Sequence, residues 1–368
     1  MMADARPDRN MRRGAGVGPG VSDLSVPLSV LDLAIVGEGS TPSKALAHST
    51  DLVRRAERLG YHRYWVAEHH NMPGIASSSP PVLLAHLGAA TSEIRLGSGG
   101  VMLPNHAPLV VAEQFGMLEA LHPGRIDLGI GRAPGTDQLT ARALRGSTHA
   151  LGADDFPQQF SDLVRFFDGT FPEDHPYSQV TAVPGLGYRP DVWLLGSSDY
   201  SAQVAGLLGL PFSFAHHFAG DNTEWAVQAY RQRFRPSETL AEPHVMLGVN
   251  VVAAETEERA QWLAAPGKLA FLRLRMGRPG RYPTPEEAAE YVFTPSERNA
   301  VEGWTRNHVV GTPDTVRDEL AELVARTGAD ELMVTTMVHG HDDRVRSYEL
   351  VAEAAGLTPR DAGAATAA

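Results

Sequence analysis

LSVLDLAIVGEGSTPSKALAHSTDLVRRAERLGYHRYWVAEHH, residues 28–70, reads as a strand, a helix and a second strand in turn. LSVLDLAIV (28–36) is an apolar run of strand length. Thr41 then stands at the N-cap of a helix, Pro42 at its first position and Gly60 at its C-cap. Leu46, Leu52, Val53, Ala56 and Leu59 give that helix one apolar face. YHRYWVAEHH (61–70) returns to strand.

Outward from this stretch the same unit recurs. Strands are expected at IRLGSGGVML (94–103), RIDLGIG (125–131), VWLLG (192–196), PFSFAHH (211–217), VMLGVNVVA (245–253) and ELMVTTMV (331–338), which makes eight. Helices are expected at 80–92, 107–121, 199–208, 222–234 and 313–327. Strands separated by helices must pair in parallel, and eight such units close into an α/β fold, the (β/α)8 TIM barrel. An open doubly wound sheet is the alternative. The segments 132–154, 169–190 and 254–309 do not fit the unit and are expected as extended loops at the C-terminal face, where barrel active sites are built. The third is either a lid or a passive surface excursion. One domain over 26–357 follows, with tails at 1–25 and 358–368.

Composition narrows the chemistry. Of 368 residues 43% are hydrophobic and 21% charged, an ordinary globular balance. The absence of cysteine removes disulfides, thiolate metal sites, iron–sulfur clusters and a cysteine nucleophile together. A net charge of −12 with no basic stripe is the wrong sign for a nucleic-acid binder. No run approaches the ~20 apolar residues of a membrane span, and the start lacks a signal-peptide core, so a soluble, cytoplasmic protein is expected. Only Lys44 and Lys268 among the 32 basic residues are lysine.

Glu68-His69-His70-Asn71 ends the second strand. There imidazole and carboxylate can trade protons near neutral pH, or simply terminate a strand with hydrogen bonds. The spacing is not that of a helical zinc motif, so no metal is expected. His216-His217 and His339-Gly340-His341 follow strands without an obvious carboxylate partner. Gly97-Ser98-Gly99-Gly100 runs into VML rather than opening a helix, which argues against a dinucleotide fingerprint and for close approach of a flat ligand to the backbone. VWLLGSSDYSAQVA (192–205) places Ser197, Ser198 and Ser201 around a helix start. With Arg132 they offer donors and a favourable dipole end to a phosphate, although Asp199 could serve as the helix's own anion.

WVAEHHNMPGIASSSP, IRLGSGGVMLPNHAPLVVAEQF, PGRIDLGIGRAPGTD, VWLLGSSDYSAQVA and VGTPDTVRDEL with TGADELMVTTMV, in this order, resemble the bacterial-luciferase-like flavin-dependent monooxygenases. The closer likeness is to the subgroup that tailors aromatic polyketides in antibiotic-producing bacteria. The resemblance implies a barrel using FMN, reduced externally by a separate NAD(P)H-dependent flavin reductase, and O2 activated as a C4a-peroxide to oxygenate a small molecule. It implies Glu68 and the catalytic His69 beside the flavin, and Gly99 and Gly100 beneath it, joined by a cis peptide. Leu195 and Gly196 would lie along the ring, and Arg132, Ser197, Ser198 and Ser201 on the phosphate. It further implies a homodimer through 80–92 and 107–121. Gly131 and Ser197 stand where light-emitting members carry a cysteine and an acid, so light emission is not implied. The rival expectations are hydride transfer from the deazaflavin F420 on the same fold and a non-catalytic flavin-binding protein.

Overall fold

The computed structural model describes residues 24–133, 135–145 and 155–360. Most of the expected tails, Pro134 and residues 146–154 of the first expected insertion lie outside the described residues. The strands are β1 (Leu28–Asp32), β2 (Arg63–Val66), β3 (Arg95–Met102), β4 (Ile126–Gly131), β5 (Asp191–Gly196), β6 (Phe212–Phe214), β7 (Val245–Ala253), β8 (Val309–Gly311) and β9 (Glu331–Thr335). All pair in parallel, and the order β6-β5-β4-β3-β2-β1-β9-β7 closes on itself because β6 also pairs with β7. The closed eight-stranded barrel is the expected one, and β8 is a ninth strand that the sequence reading lacks. It pairs only with the far end of β7, Val251–Ala253.

The helices are α1 (Pro42–Arg58), α2 (Pro80–Gly88), α3 (Pro108–Leu121), α4 (Gln138–Arg145), α5 (Phe156–Asp168), α6 (Asp199–Leu208), α7 (His216–Ala219), α8 (Thr223–Arg233), α9 (Glu257–Arg275), α10 (Pro285–Glu290), α11 (Pro295–Thr305), α12 (Pro313–Thr327) and α13 (His341–Ala354). The Thr41 hydroxyl accepts from the Lys44 amide and caps α1, whose C-cap is Leu59, with Gly60 just beyond at φ +88°. The buried face of α1 contains Ala45 rather than the exposed Leu46. The largest departure is 254–309, which is mostly helical rather than loop. Thr256 caps α9, Glu257 and Glu258 favour its first turn, and the helix runs through Pro266-Gly267. Pro266 is buried and withholds only the one amide that the Trp262 carbonyl would have received.

Alternation along each strand sorts the apolar residues into two compartments. Val30, Tyr64, Leu96, Leu128, Leu194, Leu247 and Leu332 face the helix layer in one continuous cluster. Leu31, Trp65, Trp193, Met246 and Met333 form a separate cluster inside the barrel, with Trp65 and Trp193 edge to face at 5.3 Å. Toward the N-terminal ends of the strands, Arg63 donates to Glu331 at 2.8 Å and to Asp127 at 2.9 Å. The Trp65 indole N–H and Arg95 complete the coordination of Asp127, and the Ser29 hydroxyl donates to Glu331. This closed floor leaves the opposite end of the barrel as the accessible one.

Candidate active site

β2 delivers its last polar residues to two different places. Its alternation turns Glu68 outward and His69 inward. The buried Glu68 carboxylate accepts from His106 Nε2 at 2.8 Å, His70 Nε2 at 2.9 Å and the Met102 amide at 3.1 Å. Burial works to raise its pKa, but the His106, His70 and Met102 donors outweigh it and hold the group below the usual carboxylate range. With these bonds Glu68 ties the end of β2 to the end of β3 and to the segment before α3. It reaches His69 as a charge rather than as a contact.

Among the described residues the His69 imidazole has no hydrogen-bond partner, and its Nδ1 is buried. Only its backbone is fixed, by the amide bond to the Ser77 carbonyl at 3.0 Å. Burial pushes its pKa down to about 4, so the ring is neutral near pH 7. Across the mouth, the ring of His217 lies against Gly248 of β7. A Cβ at Gly248 would stand 2.9 Å from His217 Nδ1, which donates to the Gly248 carbonyl at 3.0 Å. Burial holds His217 at about 4 as well, and the two imidazoles feel each other electrostatically. A neutral ring that donates from Nδ1 must carry its lone pair on Nε2. Sequence reading set His217 aside for want of a carboxylate, but its partner is a backbone carbonyl on another strand. His216 turns away and bonds the Thr223 hydroxyl at 2.7 Å. His341, also set aside, does have a carboxylate, Asp51 at 2.8 Å, and stacks on His48 outside the mouth.

The pairing of β3 with β4 shifts register between Ser98 and Val101, and the Gly99–Gly100 peptide there is cis. A Cβ on Gly100 would sit 2.7 Å from the Gly129 carbonyl oxygen and 3.0 Å from Leu195 Cδ2. The glycine therefore lets β3 pack directly against the backbone of β4 and against Leu195. The Gly196 carbonyl at the end of β5 accepts from the Ala215 amide at 2.9 Å.

One residue beyond β4, the exposed Arg132 guanidinium lies 4.5 Å over the ring of Tyr200 and has no acidic partner among the described residues. Tyr200 was not singled out in the sequence. It sits on α6, whose N-cap Ser198 makes no capping bond with its side chain. The Ser201 hydroxyl donates to the Ser198 carbonyl at 2.8 Å and stands 3.5 Å from the Ser198 hydroxyl, while Ser197 is exposed. Arg132, Ser197, Ser198 and Ser201 thus share one rim, at the ends of β4 and β5. An arginine, several hydroxyls and a helix N-terminus suit a phosphate. This donor set fits the phosphate of a flavin-type cofactor.

The luciferase-like monooxygenase family matches residues 27–331 of the chain. A luciferase-like monooxygenase of Escherichia coli K12 is 48% identical over 331 residues, covering 90% of this chain and 97% of the relative. The N-acetyl-S-alkylcysteine monooxygenase of Bacillus subtilis strain 168 is 36% identical over 330 residues, covering 89% and 97%. The crystal structure of apo-MsnO8 superimposes with a TM-score of 0.83 at 42% identity, covering 91% of this chain and all of that one. With the barrel closed, the mouth assembled and the match running across nearly its whole length, this chain belongs to the luciferase-like monooxygenase family.

Proposed function

We propose that the protein is a flavin-dependent monooxygenase that takes reduced FMN from a separate NAD(P)H-dependent flavin reductase and uses O2 to oxygenate a small organic molecule. The observation that supports this most directly is the donor set of Arg132, Ser198 and Ser201 at one rim of the mouth. The bound flavin supplies the oxygen activation. The chain supplies everything around it. Arg132, Ser198 and Ser201, with Ser197 at their edge, bind the phosphate. Gly99, Gly100, Leu195 and Gly196 let the ring lie flat against the barrel. The Trp65–Trp193 layer closes the floor to water. Neutral His69 manages a proton at the flavin, and Glu68 fixes the strand end that carries it.

The resemblance to polyketide-tailoring enzymes supports a polyketide-type metabolite as substrate, in a cytoplasmic enzyme of antibiotic biosynthesis. The name of the Bacillus subtilis relative supports a thioether as the competing class. No helix among the described residues is long and apolar enough to cross a membrane. Val82 on α2 and Val110, Met117 and Leu121 on α3 are exposed apolar side chains, which supports a homodimer through these helices. Light scattering should then give twice the 39.6 kDa chain mass.

The test is to titrate the protein with FMN, riboflavin and F420, then mix the reduced complexes with O2. FMN should bind more tightly than riboflavin, and the protein should delay peroxide release relative to free reduced FMN. Preference for F420 with no oxygen consumption would overturn the reading, as would FMN binding that leaves its oxidation unchanged.

A further inference from the structure

The inner faces of β7 and β9 carry a polar step that the chemistry described so far does not use. Met246 belongs to the interior cluster, so alternation along β7 puts Gly248 and Asn250 on the inside as well. On β9 the same rule puts Thr335 inside, two residues beyond Met333 of that cluster. Register pairs Gly248 with Met333 and Asn250 with Thr335, which sets an amide and a hydroxyl side by side one step above Met333. Beyond them Val252, Leu263 of α9 and Val338 form a second apolar cluster. Asn250 is 8% and Thr335 4% exposed, and among the described residues neither side chain has a hydrogen-bond partner. An amide and a hydroxyl held between apolar layers without a partner are costly. Lower on the same face of β9, Glu331 accepts from Ser29 and Arg63, so the missing partners are particular to this step and not to the wall.

The third member comes from α7. A Cβ on Gly248 would stand 2.9 Å from His217 Nδ1 and 3.1 Å from its Cε1, so the imidazole occupies the room that an inward side chain at 248 would take. The ring therefore lies inside the barrel, one step before Asn250 on the same face of β7. Its Nδ1 donates to the Gly248 carbonyl, which leaves Nε2 an acceptor only, and among the described residues that acceptor has no partner.

We infer that Asn250, Thr335 and His217 form a neutral hydrogen-bonding subsite for a hydroxyl group of the substrate. The inference rests on the mouth being the substrate site of the proposed monooxygenase, and it narrows that substrate to a molecule with a hydroxyl. The O–H donates to His217 Nε2, and its oxygen accepts from the Asn250 or Thr335 donor. A carboxylate has no proton to give Nε2, and neither β7 nor β9 carries a lysine or arginine to hold its charge. An ether, ketone or thioether lacks the donor.

Phenol and anisole, which differ in whether the oxygen carries a proton, are the probes, and no flavin is present. The histidine rings are labelled with 15N for NMR, and the His217 signals are those that His217→Gln deletes. Phenol should move His217 Nε2 saturably at roughly millimolar concentration, and anisole should not move it. Asn250→Leu and Thr335→Val, each close in size to the native residue, should weaken phenol by about 3–10-fold and leave anisole within about twofold. Damage to the fold would weaken both probes alike, and should His217→Gln not fold, these two variants decide alone. Equal affinity for the two probes overturns the inference, as does a parallel loss of both in the variants, or phenol that saturates without moving His217. FMN that reproduces the Nε2 shift and displaces phenol also overturns it, because the three residues would then serve the cofactor. The phenol titration needs no flavin, so its failure leaves the monooxygenase reading standing, and failure of flavin binding leaves the phenol result standing.

Discussion

The two ends of the barrel interior are built on opposite rules. At the floor, both oxygens of Asp127 are engaged by Arg63, Arg95 and Trp65, and Arg63 also holds Glu331. Burial works to raise the Glu331 pKa, yet His244, Arg63 and Ser29 bring it to about 2. At the mouth, among the described residues, the His69 Nδ1 is buried with no hydrogen-bond partner and Arg132 has only the Tyr200 ring beneath it. Polar groups at the floor complete one another, whereas at the mouth Glu68 and His217 are bonded within the protein and His69 and Arg132 are not. The difference separates residues that hold the barrel from residues that act through it, even though both sets are charged or titratable and both lie inside the same strands.

Substitutions at the two ends should fail in different ways. The largest effect is expected from His69→Ala, which should keep FMN affinity and lose turnover by about 10²–10⁴-fold. Steady-state rates set beside FMN titrations check it, and wild-type coupling of FMNH2 oxidation to product would erase the contrast. Next, Arg63→Met should leave Glu331 without its arginine and Asp127 with Arg95 alone inside the floor, and cost ~3–5 kcal/mol of stability. Denaturant unfolding measures this, and the surviving folded fraction should bind FMN normally. Arg132→Ala should weaken FMN by roughly 10–100-fold through loss of ~1.5–3 kcal/mol, leaving riboflavin affinity and the unfolding midpoint unchanged. The smallest effect is on pH dependence. Burial lowers His69, His216 and His217 to about 4 from an ordinary 6.5. Between these values the unfolded chain takes up protons that the native one refuses, so stability should fall as pH drops from 6.5 toward 4. Replacing His69 with Gln should lessen that fall by on the order of 1 kcal/mol, ~2–4 °C in melting temperature.

The strands that make the wall were legible because each is a short, β-rich apolar run bounded by glycine, proline or polar residues. β8 was not, since three residues among helix breakers carry no periodicity. α9 was hidden by Pro266-Gly267, which reads as a break until packing overrides it. In the candidate site, Arg132 and the serines could be found because a helix start has a local signature. The partners of Glu68 could not, since His106 is far away in sequence and only closure of the barrel brings it near. His217 was misjudged for the same reason. Its role depends on a bond to Gly248 across two strands, which no spacing encodes.

The short pairing of β8 with β7 separates the covering helices from the wall they cover. The chain leaves β7 at Ala253, passes through α9, α10 and α11, and returns at Val309 to pair beside the residues it left. The Ala254 amide bonds the Gly311 carbonyl, and Glu257 reaches both Thr312 and Thr315, so departure and return are fastened together. Closing a long excursion at its base removes most of its entropic burden from the rest of the chain. Residues 254–308 are consequently a unit fastened at its base. Grafting the matching segment of a relative onto this barrel should preserve the floor, the Arg132 rim and FMN affinity while changing which molecules the mouth admits.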